Sequence, residues 1–332
     1  MNVLITGAGA LLGQGIIRTL RASSLEVTIA AVDPNPLSAG LYWADRSYIV
    51  PMADDPTYLA AIEDILERER PDVVLIGTDV ELPFFAAHRH RLESIFHTHF
   101  LVSDPHVVRI AEDKWLTNRF LKDAGFNPPQ SCLAGDEAKL VNAVGFPLIV
   151  KPRVGSRSMG VRVVHGWDEL AKAVEEEPDC IIQECVATDA DEYTAGALVF
   201  EGRCQASIVM RRILKDGNTY QAFVEDYPEL NAYVRRVAEE LRPHGPVNIQ
   251  FRLDEGKPRV FEINARFSGT TPLRALAGFN EVEIGLDWLI YGMPVIQPKI
   301  RPMTILRHWS ETVVPLRSLS DVQRAYESLP TR

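Results

Sequence analysis

Three polar side chains that suit a metal ion and a phosphate alternate along one short segment of the chain. Glu262, Asn264 and Arg266 share one face of a predicted strand, while Phe261 and Ile263 lie on the other, because side chains of a strand alternate between its faces. Burying these polar groups without partners is costly, so this face is a poor core surface. Carboxylate and amide oxygens suit a hard divalent cation, and a guanidinium suits a phosphate. An amphipathic strand with a solvated polar face is the alternative interpretation.

A lysine and a glycine-containing loop upstream also suit phosphate. Lys151 ends an apolar run and precedes Pro152, so it places a point charge at the end of a predicted strand. In the loop that follows, glycines let the backbone approach a ligand, and hydroxyl and N–H groups can donate to phosphate oxygens. A solvated lysine and an ordinary hairpin turn are the alternatives. The candidate phosphate-binding residues of this loop are Gly155, Ser156, Ser158 and Gly160.

Composition narrows the class of protein. The chain has 332 residues, of which 46% are hydrophobic and 24% charged, so it is long enough for two or three globular domains. Its formal net charge of −10 argues against a protein that binds a nucleic acid backbone. The four cysteines include no CxxC pair, which is typical of free thiols in a reducing compartment. We recognise no signal peptide and no apolar run of membrane-spanning length, so we expect a cytoplasmic protein without a membrane or nucleic acid partner.

The first hundred residues alternate between predicted strands and helices, which is the pattern of a doubly wound parallel domain. Gly7, Gly9 and Gly13 follow the first strand, and Asp33 ends the second strand, twenty residues after Gly13. This arrangement is close to the dinucleotide fingerprint, in which glycines admit a pyrophosphate and the acid binds a ribose, although the spacing here is GxGxxxG. An NAD-dependent oxidoreductase is therefore one alternative for the function.

The later part of the chain predicts helices and hairpins. A single helix is predicted over 110–124, and a hairpin is predicted to pair Glu192–Phe200 with Arg203–Arg212. Gln250 and Glu262 are expected on neighbouring strands of a second hairpin, because only a short turn separates those strands. The polar segment described first thus has an amide beside its carboxylate.

The chain presents in this order Lys114, Lys151, the loop 153–160, Glu184, Glu192, Gln250, Glu262, Asn264 and Arg266. Their order and spacing resemble those of the ATP-grasp enzymes. The resemblance is closest to the group that includes the carbamoyl-phosphate synthetase large chain and related carboxylate–amine ligases. It covers about residues 105–295.

The resemblance implies a domain organisation. We expect a pre-ATP-grasp, Rossmann-like domain at 1–108, an ATP-grasp domain at 109–314 with a lid at 120–185, and a C-terminal tail at 315–332. The expected fold class is α/β, in which a doubly wound parallel domain precedes a two-part α+β ATP-grasp fold.

The resemblance also implies how ATP is held. Backbone groups of Glu184 and Val186 would meet the adenine edge, and Glu192 would accept hydrogen bonds from the ribose hydroxyls. Lys114 and Lys151 would face the phosphates, together with the loop that follows Lys151.

Metal and phosphoryl groups are expected at the polar strand. The resemblance implies that Glu262 bridges two Mg²⁺ ions, or Mn²⁺ in their place, with Gln250 and Asn264 completing the oxygen coordination. Many ATP-grasp enzymes have an acid where this chain has Gln250, so the number of tightly bound metals stays open. Arg266 and Lys151 are the candidate catalytic residues, because a guanidinium and an ammonium can stabilise a transferring phosphoryl group.

Candidate substrate residues lie at the carboxyl ends of the N-terminal strands, before a predicted helix near residue 272, and on a strand predicted over 303–311. An anion could bind the N–H groups at that helix start. The substrate candidates are Asp33, Asn35, Asp79, Ser268, Gly269, Thr270 and Arg307.

The resemblance implies an ATP-dependent ligase that activates a carboxylate as an acyl phosphate and couples it to an amine, with release of ADP and phosphate. Its partners would be ATP and small carboxylate and amine substrates, and a homodimer is expected as a further possibility. An ATP-binding regulatory module without turnover is the alternative from another class, beside the NAD-dependent oxidoreductase.

Overall fold

The computed structural model describes residues 1–155, 159–186 and 191–315. The predicted loop residues Ser156 and Ser158, and positions 316–332 of the predicted tail, lie outside these ranges. Strands in the described ranges form three sheets, and none of the described helices is long and apolar enough to cross a membrane.

The first sheet is parallel, with strand order β3-β2-β1-β4-β5. Its strands read as apolar runs because helices cover both faces of the sheet, and the side chains of Val3, Leu4 and Ile5 are all buried. The prediction of a doubly wound parallel domain is confirmed. The elements are β1 (Asn2–Ile5), α1 (Leu11–Arg21), β2 (Thr28–Asp33), β3 (Arg46–Ile49), α2 (Tyr58–Glu69), β4 (Val73–Leu75), α3 (Leu82–Phe96) and β5 (His99–Leu101).

The single helix predicted over 110–124 is wrong. The chain forms two helices, α4 (Pro105–Glu112) and α5 (Lys114–Asp123), which are separated at Asp113. The backbone of Asp113 is extended, and its carboxylate accepts from the N–H groups of Trp115 and Leu116 at 2.8 and 3.3 Å. An aspartate at this position satisfies N–H groups that have no partner at a helix start, so it begins a new helix inside an unbroken apolar pattern.

The second sheet is antiparallel, with strand order β6-β9-β7-β8, and two helices pack against it. Its central strands place Lys151 opposite Ile181. The elements are β6 (Ser131–Leu133), α6 (Glu137–Val144), β7 (Leu148–Pro152), β8 (Arg162–Val164), α7 (Trp167–Glu176) and β9 (Cys180–Glu184).

The third sheet has six antiparallel strands in the order β14-β13-β10-β11-β12-β15. Gln250 lies opposite Glu262, as the hairpin prediction required. The strand predicted over 303–311 ends at Leu306, so Arg307 follows it. The prediction also missed β12, which joins β11 to β15. The elements are β10 (Glu192–Phe200), β11 (Arg203–Lys215), β12 (Asn218–Val224), α8 (Pro228–Leu241), β13 (Gly245–Asp254), β14 (Lys257–Asn264), α9 (Thr271–Leu276), α10 (Glu281–Tyr291) and β15 (Met303–Leu306).

Alternate residues of β10 join two different cores. Ala195 and Ala197 pack with α8, whereas Leu198 and Phe200 belong to a cluster that also contains Ile5 and other residues of the parallel sheet. This second cluster includes residues of α1, α9 and α10. The N-terminal sheet and the six-stranded sheet are therefore held together by a shared apolar core, which places the ends of β1 and β4 beside β14.

One buried ion pair lies under the six-stranded sheet. Arg274 and Glu281 are 1% and 0% exposed, and their closest atoms are 3.0 Å apart. We expect Glu281→Gln to lower the free energy of unfolding by about 3–5 kcal/mol, because Arg274 would keep a buried charge without its carboxylate. Urea unfolding followed by tryptophan fluorescence measures the change.

The matched control is Asp64→Asn, which removes an exposed pair with Arg68. That substitution should change the unfolding free energy by less than about 0.5 kcal/mol. Equal shifts in the two variants would contradict a stabilising role for the buried pair.

Candidate functional site

A cavity of about 1050 Å³ lies between the second and third sheets and reaches the carboxyl end of the parallel sheet. Most of the predicted site residues line it. They are Asp79, Lys114, Lys151, Gly155, Glu184, Val186, Glu192, Gln250, Glu262, Arg266, Ser268, Gly269, Thr270 and Arg307. Asn264 lines a smaller adjoining cavity together with Asp79 and Gly155.

Three predicted residues are placed differently. Asp33 and Asn35 line neither cavity, and Gly160 packs against Pro152 beside the loop. The carboxylate of Asp33 accepts from Gly9 N at 2.6 Å, Asn35 N at 3.0 Å and the Ser38 hydroxyl at 2.6 Å. Three donors thus hold Asp33 outside both cavities.

The glycine loop of the N-terminal domain is likewise bonded to the protein. The N–H groups of Ala8 and Gly13 donate to Val32 O and Gly77 O, both at 3.1 Å. A dinucleotide pyrophosphate needs such N–H groups to be available. This bonding and the occupied carboxylate of Asp33 argue against NAD binding at the loop.

The end of β9 is fixed by a charged contact. The Glu184 carboxylate lies 2.6 Å from Arg259 and accepts from Gln130 N at 2.9 Å, while Glu184 N donates to Gln130 O at 2.8 Å. Beyond it, Val186 faces the cavity. The side chain of Glu184 is thus occupied, so only its carbonyl group is suited to meet a base edge.

Two buried lysines border the cavity. Lys151 is 5% exposed, its Nζ donates to Gln183 Oε1 at 2.9 Å, and it lies 5.5 Å from the Phe261 ring centroid. Lys114, the first residue of α5, donates to Gly155 O at 2.8 Å. Burial lowers the pKa of Lys151 to about 8, against the opposing effect of Glu262.

This lowered pKa predicts a pH dependence of nucleotide affinity. As pH rises above about 8, the free protein loses the Lys151 ammonium, which can otherwise pair with phosphate oxygens. We expect the dissociation constant of AMP-PNP, a non-hydrolysable ATP analogue, to rise by up to about tenfold per pH unit in this range. Calorimetric titration at constant free Mg²⁺ measures this dissociation constant at each pH.

Lys151→Arg is the control, because a guanidinium stays charged throughout this pH range. The variant should lack the alkaline loss whatever its absolute affinity. An unchanged pH profile in Lys151→Arg would contradict the role of the lysine.

A continuous row of hydrogen-bonded polar side chains crosses the floor of the cavity. At its centre, Glu262 Oε1 accepts from the amide nitrogens of Gln250 and Asn264, both at 2.9 Å. The two amide oxygens point outward to arginines, with Gln250 Oε1 2.5 Å from Arg212 and Asn264 Oδ1 3.0 Å from Arg266. No residue in the described ranges is hydrogen-bonded to Glu262 Oε2. A carboxylate oxygen at a cavity wall fits a divalent cation.

One end of this row holds Glu192 between two arginines. Arg212 approaches Glu192 Oε1 at 2.7 Å, and Arg252 approaches Oε2 at 2.9 Å. Neither arginine was singled out from the sequence. Arg252 lies two residues after Gln250 and therefore on the same face of β13, a signal that could have found it. Arg212 meets Glu192 only through the pairing of β10 with β11, so no local pattern reveals it.

The other end of the row reaches the N-terminal domain. Arg266 Nε donates to Asp79 Oδ1 at 2.6 Å, and its two other nitrogens donate to Asn264 Oδ1 and Phe267 O at 3.0 Å each. The three acceptors hold the guanidinium in one orientation. The structure thus brings a predicted phosphate ligand and a predicted substrate residue into direct contact.

The far part of the cavity combines small residues with an arginine. Ser268, Gly269 and Thr270 precede α9, and Arg307 donates to the carbonyl oxygen of Gly269. Burial lowers the pKa of Arg307, with a smaller effect from Arg18 in the same direction. None of the ion pairs among the described residues includes Arg307, so this side chain is suited to an anionic group.

Comparisons with known proteins show what this chain is similar to. Residues 176–308 match a family model described as ATP-grasp in the biosynthetic pathway with Ter operon, and residues 3–97 match the PylC-like N-terminal domain. The chain is 25% identical to the carbamoyl phosphate synthase large chain of Methanothrix thermoacetophila. That alignment covers 99% of this chain but 32% of the relative, so the chain spans about a third of that protein's length.

Solved structures share the fold. An N5-carboxyaminoimidazole ribonucleotide synthetase in complex with ADP superposes with a TM-score of 0.73 at 18% identity, over 92% of this chain and 81% of the other. A second similar structure is the biotin carboxylase domain of a 2-oxoglutarate carboxylase from Hydrogenobacter thermophilus, in complex with MgADP and bicarbonate. It superposes with a TM-score of 0.71 at 18% identity. The second match covers 91% of this chain and 72% of the other. The predicted two-part fold is confirmed.

Proposed function

Because residues 176–308 match an ATP-grasp family model and the chain is similar in sequence to the carbamoyl phosphate synthase large chain, we propose that it is an ATP-dependent carboxylate–amine ligase. The observation that carries the proposal is the polar row from Glu192 through Glu262 to Arg266, which faces one cavity together with the buried Lys151. The row combines acceptors for a cation with donors for phosphate oxygens.

The reaction we infer has two steps. A carboxylate oxygen of the substrate attacks the γ-phosphorus of ATP, the bond to the bridging oxygen breaks, and an acyl phosphate and ADP result. An amine then attacks the carbonyl carbon, loses a proton and expels phosphate, so an amide bond forms. Lys151 and Arg266 stabilise the negative charge of the transferring group, and no covalent nucleophile is required.

The nucleotide is proposed to lie against β9 and β10. Backbone groups of Glu184 and Val186 would meet the adenine, and Glu192 the ribose, while Lys114 and Lys151 face the phosphates. An N5-carboxyaminoimidazole ribonucleotide synthetase of the same fold binds ADP, which supports the choice of nucleotide. We further propose that the unit 120–185 closes over ATP and excludes water from the acyl phosphate.

Glu262 is proposed to hold Mg²⁺. Gln250 and Asn264, the further ligands predicted from the sequence, border this site, but their amide nitrogens face Glu262 and their oxygens accept from arginines. The bound cation would neutralise phosphate charge. MgADP in the biotin carboxylase domain supports the choice of metal. The far part of the cavity, with Asp79, Arg307 and the segment 268–270, is proposed to hold the carboxylate and the amine.

A substrate panel tests the proposal. The full chain is incubated with Mg-ATP and pairs of amino acids, other carboxylates and amines, and ADP release is measured. ADP release that depends on both a carboxylate and an amine supports the ligase. Tight ATP binding without turnover across the panel favours a regulatory module, and hydride transfer with NAD would overturn the proposal.

A further inference from the structure

An arginine occupies one side of the proposed metal site. Arg212, on β11, is 8% exposed, and its Nε and Nη2 bind Glu192 Oε1 at 3.1 and 2.7 Å. The same Nη2 donates to Gln250 Oε1 at 2.5 Å. The guanidinium therefore lies between the proposed ribose acid and Gln250, which the sequence predicted as a metal ligand.

The amide of Gln250 is oriented by this contact. Its oxygen faces Arg212, so its nitrogen is the atom that turns toward Glu262 and donates at 2.9 Å. To present the oxygen to a cation shared with Glu262, the amide would have to rotate. Rotation would break both bonds and leave Arg212 and Glu262 each without one partner.

The positive charge of Arg212 also disfavours a cation beside Gln250. A guanidinium is always charged, and Arg212 is buried and held by three hydrogen bonds to Glu192 and Gln250. A divalent cation beside Gln250 would lie within a few ångströms of this fixed positive charge, in a partly buried site where repulsion is weakly screened. Glu262 lines the cavity, and its Oε2, which has no hydrogen bond among the described residues, offers an alternative ligand.

We propose that Arg212 takes the place of one of the two cations expected at this site, so that the complex with ATP holds one tightly bound divalent cation. The inference rests on the proposed function, because it concerns the same nucleotide site. Arg212 supplies a fixed charge beside the phosphates, and Glu262 binds the single cation. Arg212 is thus a positioning residue for Gln250 and a charged contact for the nucleotide.

Counting bound Mn²⁺ tests this assignment. The full chain is saturated with AMP-PNP, whose binding is first verified by calorimetry, and free Mn²⁺ is followed by electron paramagnetic resonance. The same titration without protein corrects for Mn²⁺ bound by the nucleotide in solution. We expect one tightly bound Mn²⁺ per chain in the wild type, with a spectrum that shows no coupling between metal ions.

Arg212→Met removes the charge and frees the Gln250 oxygen. We expect this variant to bind a second Mn²⁺ at least about tenfold more tightly than the wild type does, since one like charge is removed. The two ions should show spin coupling. Arg212→Lys keeps the charge and should bind one ion, and Arg212→Gln is the second neutral substitution should the methionine variant not fold.

Arg252→Met is the matched control, because Arg252 also pairs with Glu192 whereas Gln250 accepts from Arg212. It should still bind one Mn²⁺. Two ions in the wild type, one ion in the neutral Arg212 variants, or two in Arg252→Met would each overturn the inference while leaving the ligase proposal intact. Failure of the wild type to bind AMP-PNP would instead overturn the proposed function, and the inference with it.

Discussion

Glu262→Gln is expected to lower kcat by about 10³-fold or more while the fold is retained. The glutamine can keep its oxygen at the Oε1 position, where it still accepts from Gln250 and Asn264. Its NH₂ group then replaces Oε2 at the cavity wall, and an NH₂ group repels a cation where the carboxylate oxygen attracted it. Substrate-stimulated ADP release measures the loss, and bound Mn²⁺ in the presence of AMP-PNP provides a readout that needs no substrate.

Glu255→Gln is the matched control, since Glu255 is exposed at the turn that joins the same two strands. It should leave both readouts unchanged. Retention of Mn²⁺ binding and of turnover in Glu262→Gln would place the cation elsewhere.

Removal of the Arg266 guanidinium is also expected to lower kcat strongly. We expect Arg266→Met to lower kcat by about 10³-fold, because an arginine on a transferring phosphoryl group contributes at least this much in other enzymes. The loss should exceed the change in AMP-PNP affinity, since the guanidinium acts chiefly on charge that develops during transfer. Single-turnover measurement of ADP formation with a panel substrate separates the two quantities.

Asp79→Asn provides the graded comparison. Asp79 accepts from Arg266 Nε, but Asn264 and Phe267 hold the other nitrogens, so the guanidinium stays near its place when Asp79 loses its charge. We expect a loss of about tenfold, as for a positioning contact. An Asp79→Asn variant as impaired as Arg266→Met would assign Asp79 a direct role in the chemistry. A fully active Arg266→Met would exclude the phosphate role of Arg266.

Local sequence patterns predicted the position of a residue correctly where neighbouring residues alone determine it. Period-two alternation placed Glu262 and Asn264 on one face of β14, and a short turn brought Gln250 opposite Glu262. The same reasoning failed at Asp113, because a side-chain cap replaces the backbone bonds that would continue the helix and leaves the apolar periodicity intact. It gave no account of the contacts of Asp33, since its carboxylate accepts from two N–H groups and the Ser38 hydroxyl, whose directions depend on the folded loop.

The sequence by itself determined the ordered set of lysines, acids and amides that resembles ATP-grasp proteins, and with it the fold class. Only the tertiary structure decided how these residues are paired. Asp79 and Arg266 are 187 positions apart and meet because the parallel sheet and the six-stranded sheet share one core. Arg212 binds Glu192 and Gln250 through the arrangement of β10, β11 and β13. Such contacts depend on how several elements pack, and no spacing along the chain encodes them.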